Sequence, residues 1–281
     1  MLALVLGLAV ISATPADIGP RLSSARAGDT VTFAPGNYGE VAIRDRAFDP
    51  PLTLQAGKAR FRLVIDKSSG IRVVGGELGP ALGDNPNDTG RLGKLGYAAN
   101  VIQSQDIGFS GTAFTDAVRG LVIDRSSHIT VDRATLTRLI TDGINIALSH
   151  HVTVTNSTCS DFTPRPADHP DCIQMWSRPT APPTSDIVLR GNVARGTMQG
   201  FTGFNHVRNG VNDGGYDRIV IEDNEVYGTY PQGVSIANAR DSVIRRNKTR
   251  AIAGARGRVS VNTPLCERCQ VEDNDIGPKP R

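Results

Sequence analysis

Two aspartates, Asp142 and Asp171, open matching phrases in this 281-residue chain: Asp142-Gly143-Ile144-Asn145 and Asp171-Cys172-Ile173-Gln174. Arg119-Gly120-Leu121-Val122 precedes them in the same pattern, and Gln199-Gly200-Phe201-Thr202 and Gln232-Gly233-Val234-Ser235 follow. The third residue of each phrase is apolar and suits an interior. The first and fourth are mostly polar and suit an outer face. If the phrases are stacked strands, Asp142 and Asp171 stand about 5 Å apart with Asn145 beside Gln174. Two carboxylates that close do not both ionise cheaply. Either one holds a proton, or a cation such as Arg119, His169 or a metal sits between them. Among metals, Ca²⁺ suits carboxylate oxygens, with Asp142 and Asp171 as its ligands.

Asp171 belongs to Asp168-His169-Pro170-Asp171-Cys172-Ile173-Gln174-Met175-Trp176, which holds one of five histidines and the single tryptophan. Proline-rich insertions flank this phrase at residues 162–167 and 178–185, and residues 204–214 enlarge the next repeat around His206 and Arg208. Long, stiff loops on neighbouring repeats wall a cleft, and function gathers on such loops. Trp176 aligns with Ala147 on the outer face, where an indole can stack on a sugar ring. An elongated cleft lined by carboxylates, amides, one aromatic ring and a few cations suits an extended polar polymer. Two reactions compete. A lyase acting on a uronic-acid polysaccharide abstracts the proton beside a neutralised carboxylate and eliminates the glycosidic bond. His169 or His206 would be its base, and Arg208, Arg119 or an ion held by Asp142 and Asp171 its neutraliser. A hydrolase would use the paired carboxylates as acid and base around a water. Substrate contacts would come from Asn145, Gln174, Trp176, His206 and Arg119.

The element that aligns these residues is a repeat. A β-branched or small residue recurs in register with Asn, Ser, Thr or Ala five positions later. The clear copies run from Ile187 to Asn192, Ile219 to Asn224, Ser242 to Asn247 and Cys269 to Asn274. Fainter copies start at Ile71, Ile107, Ile129 and Val152. The basic unit is 22 or 23 residues, stretched to 27, 32, 35 or 36 by insertions, which is the signature of a solenoid. Each full repeat contains two short period-two runs, such as Ile129-Thr130-Val131 and Gly143-Ile144-Asn145-Ile146, divided by Gly, Asn, Asp and Arg. These are strands, spaced too closely for intervening helices. The expected fold is therefore all-β, a single-domain right-handed parallel β-helix. Its fifth-position asparagines would take the left-handed corner conformation and stack as an amide ladder. Ile18, Leu22 and Ala25 recur at helical spacing, which predicts a short N-terminal helix capping the first coil.

The segment Gly28-Asp29-Thr30-Val31-Thr32-Phe33-Ala34-Pro35-Gly36-Asn37-Tyr38 resembles the opening of secreted right-handed parallel β-helix proteins of the pectin-lyase-like superfamily. That resemblance implies the fold and says little about substrate. Thr141-Asp142-Gly143 followed by Asp171-Cys172-Ile173 is similar to the Asn-Thr-Asp and Asp-Asp-Cys-Ile strands of polygalacturonases. Ile140 and Pro170 depart from that pattern, Gln199-Gly200 stands where Gly-His-Gly is expected, and no Arg-Ile-Lys follows. These departures count against the inverting hydrolase. Asp168-His169-Pro170-Asp171 resembles, in scrambled order, the Asp-Pro-His motif of alginate epimerases, which share proton abstraction with lyases.

Composition sets the outer bounds. The chain has 31 basic and 28 acidic residues, too even a balance for a general nucleic-acid surface. Met1 to Ile11 is apolar apart from Gly7, and small residues follow, so residues 1–16 are expected to be a signal peptide and 17–281 the β-helix domain. A basic n-region is missing, and a buried N-terminal strand is the alternative. Export to the periplasm or the extracellular space is expected, with a polysaccharide as partner and no membrane span. Monomer and trimer both stay open. Cys266 and Cys269 form a C-x-x-C without the second half of a zinc site, and Cys159 and Cys172 share one repeat; core thiols or local disulfides fit all four. A non-catalytic β-helix, binding polysaccharide or acting as a structural spike, is the alternative to an enzyme.

Overall fold

The computed structural model describes residues 9–80, 96–179, 181–204, 207–212 and 214–280. Its strands stack coil upon coil into one continuous 27-stranded parallel system, apart from a small antiparallel hairpin of Val207–Arg208 with Val211–Asn212. The parallel β-helix expected from the repeat is what the chain adopts. Ile71, Ile107, Ile129, Val152, Ile187 and Ile219 pair rung to rung, as the anchor spacing requires. All six are buried and form one aliphatic stack of the core. A second stack, Ala99, Leu121, Ile144, Ile173, Phe201 and Val234, lines the sheet that carries the Asp142 and Asp171 phrases. Burying such side chains contributes about 1.5–3 kcal/mol each, which is why register is held along the stack.

Each coil adds a third strand that the sequence pattern does not announce. Ala113–Thr115, Thr135–Thr137, Thr158–Ser160, Val193–Gly196, Glu225–Gly228 and Lys248–Ala251 form a third parallel face. Most of these contribute one buried residue apiece (Leu136, Cys159, Ala194, Thr249), too few to show an alternation.

The asparagine ladder exists, but its members do not make the corner. Gly191, Asp223, Arg246 and Asp273, each one residue earlier, hold the positive φ. Asn192, Asn224 and Asn247 point inward and are buried. Each gives its backbone N–H and its Nδ2 to the Oδ1 of the next Asn, at 2.8 and 3.0 Å for Asn192 to Asn224 and 3.0 Å for both from Asn247 to Asn274. A serine ladder does the same at another corner, with Ser68, Ser104 and Ser126 donating backbone N–H groups to the hydroxyls of Ser104, Ser126 and Ser149. Turns that would otherwise bury unpaired amides are satisfied in this way.

The N-terminal helix is Ile18–Ser24, with Ile18 and Leu22 buried against the first coil as expected. Val10–Ala13, within the segment expected to be a leader, forms a strand paired in parallel with Thr30–Phe33. All four cysteines are oxidised, as Cys159–Cys172 and Cys266–Cys269. Among the described residues, no helix is long and apolar enough to cross a membrane.

Candidate active site

The site phrases occupy successive rungs of one sheet: Arg119–Asp124, Ile144–Ala147, Asp171–Trp176 and Gln199–Gly203. Their second positions must stay small because the rungs close tightly there. A Cβ on Gly120 would lie 2.4 Å from the Gly143 carbonyl oxygen, and one on Gly143 2.4 Å from that of Cys172. This tight column sets the polar first column just outside it. Asn145 pairs with Gln174, and Ala147 with Trp176, in the expected register.

Asp142 and Asp171 are neighbours, yet Asp171 does not face solvent. Its side chain is fully buried, whereas Asp142 retains a small opening of 6%. Asp171 Oδ2 accepts from Gln174 Nε2 at 2.9 Å, and its Oδ1 is 2.7 Å from the Thr202 hydroxyl. Its backbone N–H donates to Asp142 Oδ1 at 3.1 Å. The other Asp142 oxygen accepts from Asn145 Nδ2 at 3.2 Å and lies 3.5 Å from Arg119 Nε. Burial, and then the Asp142 charge, push the Asp171 carboxyl well above the usual carboxylate range, against the opposing pull of the Thr202 bond. The crowded pair is thus met by a flanking arginine at Asp142 and by burial that favours the protonated form of Asp171.

The same bonds decide against calcium. Ca²⁺ needs six to eight oxygens free to turn towards it. Both oxygens of each aspartate are already committed within the protein, and a guanidinium lies alongside. Among the described residues, no three His, Cys, Asp or Glu side chains converge as a metal cage. The Asp142–Asp171 pair does not fit the ion.

A cavity of about 540 Å³ opens over this network, lined by Arg119, Asp142, His169, Gln174, Trp176 and Gln199 among others. Asp171 lies beneath its floor and does not line it. His169 is exposed at the wall. Its loop is fixed on both sides: Tyr230 donates to the Asp168 carbonyl at 2.9 Å, and the Gln199 N–H donates to the Pro170 carbonyl at 2.7 Å. Arg165 holds the Asp168 carboxylate at 2.7 Å, and the Cys159–Cys172 disulfide closes the loop's base. Trp176 is 49% exposed, with its Nε1–H donated inward to Gln174 Oε1 at 2.6 Å. That bond fixes the indole and leaves its face to the cavity.

Five of the residues expected at the site therefore converge at the cavity: Arg119, Asp142, His169, Gln174 and Trp176. Asn145 and Asp171 support them from below. His206 lies outside the described residues, and the Arg208 side chain is likewise outside the description. The pattern of the phrases missed three contributors. Gln199 lines the cavity with a buried Oε1 that has no partner among the described residues. Thr202 holds Asp171, and Tyr230 pins the His169 loop. Gln199 and Thr202 stand in the first and fourth columns, so the register could have named them. Tyr230 is 62 residues from the Asp168 it binds, and no local signal marks it.

A family model described as right handed beta helix region matches residues 93–277. No curated protein sequence matches significantly. Similar solved structures include the Family 28 exopolygalacturonase of Yersinia enterocolitica, 12% identical, with 87% of this chain and 59% of that chain covered and a TM-score of 0.60. Pectate lyase Pel9A is 13% identical over 98% of this chain and 82% of its own, with a TM-score of 0.53. The polygalacturonase from Erwinia carotovora ssp. carotovora is 13% identical over 95% and 94%, with a TM-score of 0.51. At such identities the likeness is one of fold, and it bears out the architecture expected from the opening segment and the repeat.

Proposed function

This chain belongs to the right-handed β-helix family, and from its cleft we propose that it is a polysaccharide lyase cleaving a uronic-acid-containing polymer by β-elimination. The observation that carries the reading is the Trp176 indole, half exposed and locked by Gln174, sharing one cavity with Arg119 and the exposed His169. The solved structures similar in fold include a pectate lyase and two polygalacturonases, which agrees with a polysaccharide as substrate. A sugar ring stacks on the indole. Its carboxylate meets the Arg119 guanidinium, whose Nε side is steadied by Asp142. Gln199 Oε1, buried without a partner among the described residues, accepts from a sugar hydroxyl.

In the elimination, His169 takes the proton from the carbon beside the carboxylate. The C–H pair becomes the ring double bond, the glycosidic C–O bond breaks, and the departing oxygen takes a proton from water or from the imidazolium. Arg119 stabilises the charge that builds on the carboxylate before the bond breaks. Asp171 touches none of the reacting atoms in this scheme. It holds Gln174, and through it Trp176. Paired-carboxylate hydrolysis has less support, because it needs both carboxyls at one water and Asp171 is sealed below the floor. Two disulfides agree with work in an oxidising compartment, hence with export.

The test is digestion of polyuronates followed by ultraviolet absorbance and reducing-end assays. Unsaturated ends that vanish in a folded His169→Ala variant support the lyase. New reducing ends without unsaturation select a hydrolase instead. Neither product from any polyuronate refutes both and leaves a binding module.

A further inference from the structure

Three of the five histidines, His128, His150 and His151, gather on a different sheet from the cleft, on the strands Ser127–Asp132 and His150–Thr155. Successive side chains in a regular strand point to opposite faces, so a His-His pair would normally diverge. Here His128 and His151 take positive φ, 55° and 54°, and the rung pairing steps over both, from Ser127–His150 to Ile129–Val152. The turn brings the two rings of the dipeptide together on the outside. His150 Nδ1 and His151 Nδ1 lie 2.8 Å apart. The His151 ring stacks on His128 one rung away, with centroids 4.8 Å apart and planes 10° from parallel.

The rest of this corner column consists of paired charges. Arg72 binds Asp106, Arg218 binds Asp186 through two nitrogens, and Arg268 binds Asp241 in the same way. The imidazoles stand between Asp106 and Asp186, whose carboxylates are bound to arginines, and the rings contact one another. A groove of about 520 Å³ runs past Asp106, His128, His151, Asp186 and Arg218.

We propose that His150 and His151 chelate a borderline transition-metal dication (Zn²⁺, Ni²⁺ or Cu²⁺) through their Nδ1 atoms, with His128 stacked against His151 to hold its ring and water filling the remaining positions. With metal–nitrogen bonds of about 2.0–2.1 Å, nitrogens this far apart subtend about 85° at one ion, the angle of adjacent ligands in square or octahedral coordination. The site is an open two-donor chelate and does not require the three converging side chains that are absent among the described residues. Asp106 and Asp186 lend it a negative surround while staying bound to their arginines. Nothing in the proposed elimination depends on it.

Untagged protein titrated calorimetrically with ZnCl₂ should bind roughly one ion per chain saturably. The His150→Ala, His151→Ala double variant should abolish that binding, and His128→Ala should weaken it by about ten- to hundredfold, as loss of an orienting neighbour does. Cu²⁺-loaded protein should show electron paramagnetic splitting from imidazole nitrogens, absent in the double variant. The rings are exposed, so circular dichroism should show all variants folded. His169→Ala should bind as the parent does. No saturable Zn²⁺ binding, undiminished binding by the folded double variant, or loss of binding in His169→Ala would each overturn the proposal.

Discussion

Replacing Asp171 with Asn separates a buried neutral acid from a buried carboxylate. The side chain is fully enclosed, and the groups facing it are Asp142, Gln174 and Thr202, with Arg119 on the far side of Asp142. If the folded protein keeps the proton on Asp171, an amide fits the same bonds. Its oxygen accepts from Gln174, and its nitrogen donates to Thr202. The variant then folds normally and keeps the Gln174–Trp176 platform. Asp171→Ala instead strands both partners, at about 1–3 kcal/mol for each unsatisfied group.

The pH dependence gives the sharper result. An unfolded Asp releases its proton near pH 3.9. In the folded chain burial and Asp142 delay that release. Between the two pKa values the native state therefore binds more protons than the unfolded state, and native stability falls as pH rises. The slope is about 1.4 kcal/mol per pH unit, and stability levels off above the folded pKa. Asp171→Asn has no proton to lose, so the variant should gain on the parent by that amount for each unit across the window. Urea unfolding from pH 4 to pH 8, followed by circular dichroism and Trp176 fluorescence, measures the difference. Parallel curves over the whole range, or a variant that loses ground as pH rises, would refute the assignment of the proton to Asp171.

Three further outcomes follow from the same coordinates. Removing the Cys159–Cys172 bridge by a double Ser substitution should cost about 3 kcal/mol through loop-closure entropy; the bridged residues are 13 apart and enclose the His169 loop, so turnover should fall at temperatures where circular dichroism still reports a folded coil. Gly143→Ala places a Cβ 2.4 Å from the Cys172 carbonyl oxygen and should destabilise by about 1–3 kcal/mol, read as a lower melting temperature together with weaker turnover, because Asp142 shifts with its strand. Glu222 runs opposite to Asp171: burial opposes its charge, but hydrogen bonds from Arg245 and Arg190 outweigh it and hold the carboxyl below the usual range. Its contribution is present above the unfolded pKa and is lost as pH falls through the folded pKa, so Glu222→Gln should flatten the acid limb of the stability curve.

The contrast between these two carboxylates shows what a repeat sequence carries and what it does not. Register is carried by volume: Ile107, Ile129, Val152 and Ile187 exclude every other alignment, because a slip of one residue would turn each of them into solvent. The adjacency of Asp142 to Asp171, and of Ala147 to Trp176, follows from that alone. Burial of an outward-facing residue depends instead on what lies across it. Asp171 and Glu222 both leave the interior of the coil, yet one is sealed between the Gln174 amide, the Thr202 hydroxyl and Asp142 and the other is ringed by arginines from neighbouring rungs. The residues that decide this are remote in sequence: Thr202 is 31 positions from Asp171, and Arg190 is 32 from Glu222.

The corners escape a period-two reading for a different reason. A single left-handed residue changes the face on which the next side chain emerges, and here those residues include Arg133, His151, Asp223 and Arg246 rather than glycine alone. That is why the asparagine ladder marks the corner one residue late, and why the convergence of His150 on His151 is invisible as a dipeptide. In a β-helix the flat rungs can be aligned from sequence, whereas the chemistry concentrates where loops cover a rung or a corner turns it. At the cleft the cover converts an expected open pair of acids into one closed acid beneath one arginine-bound carboxylate, and it is this asymmetry that takes Asp171 out of the reacting groups and leaves His169 as the base of the proposed elimination.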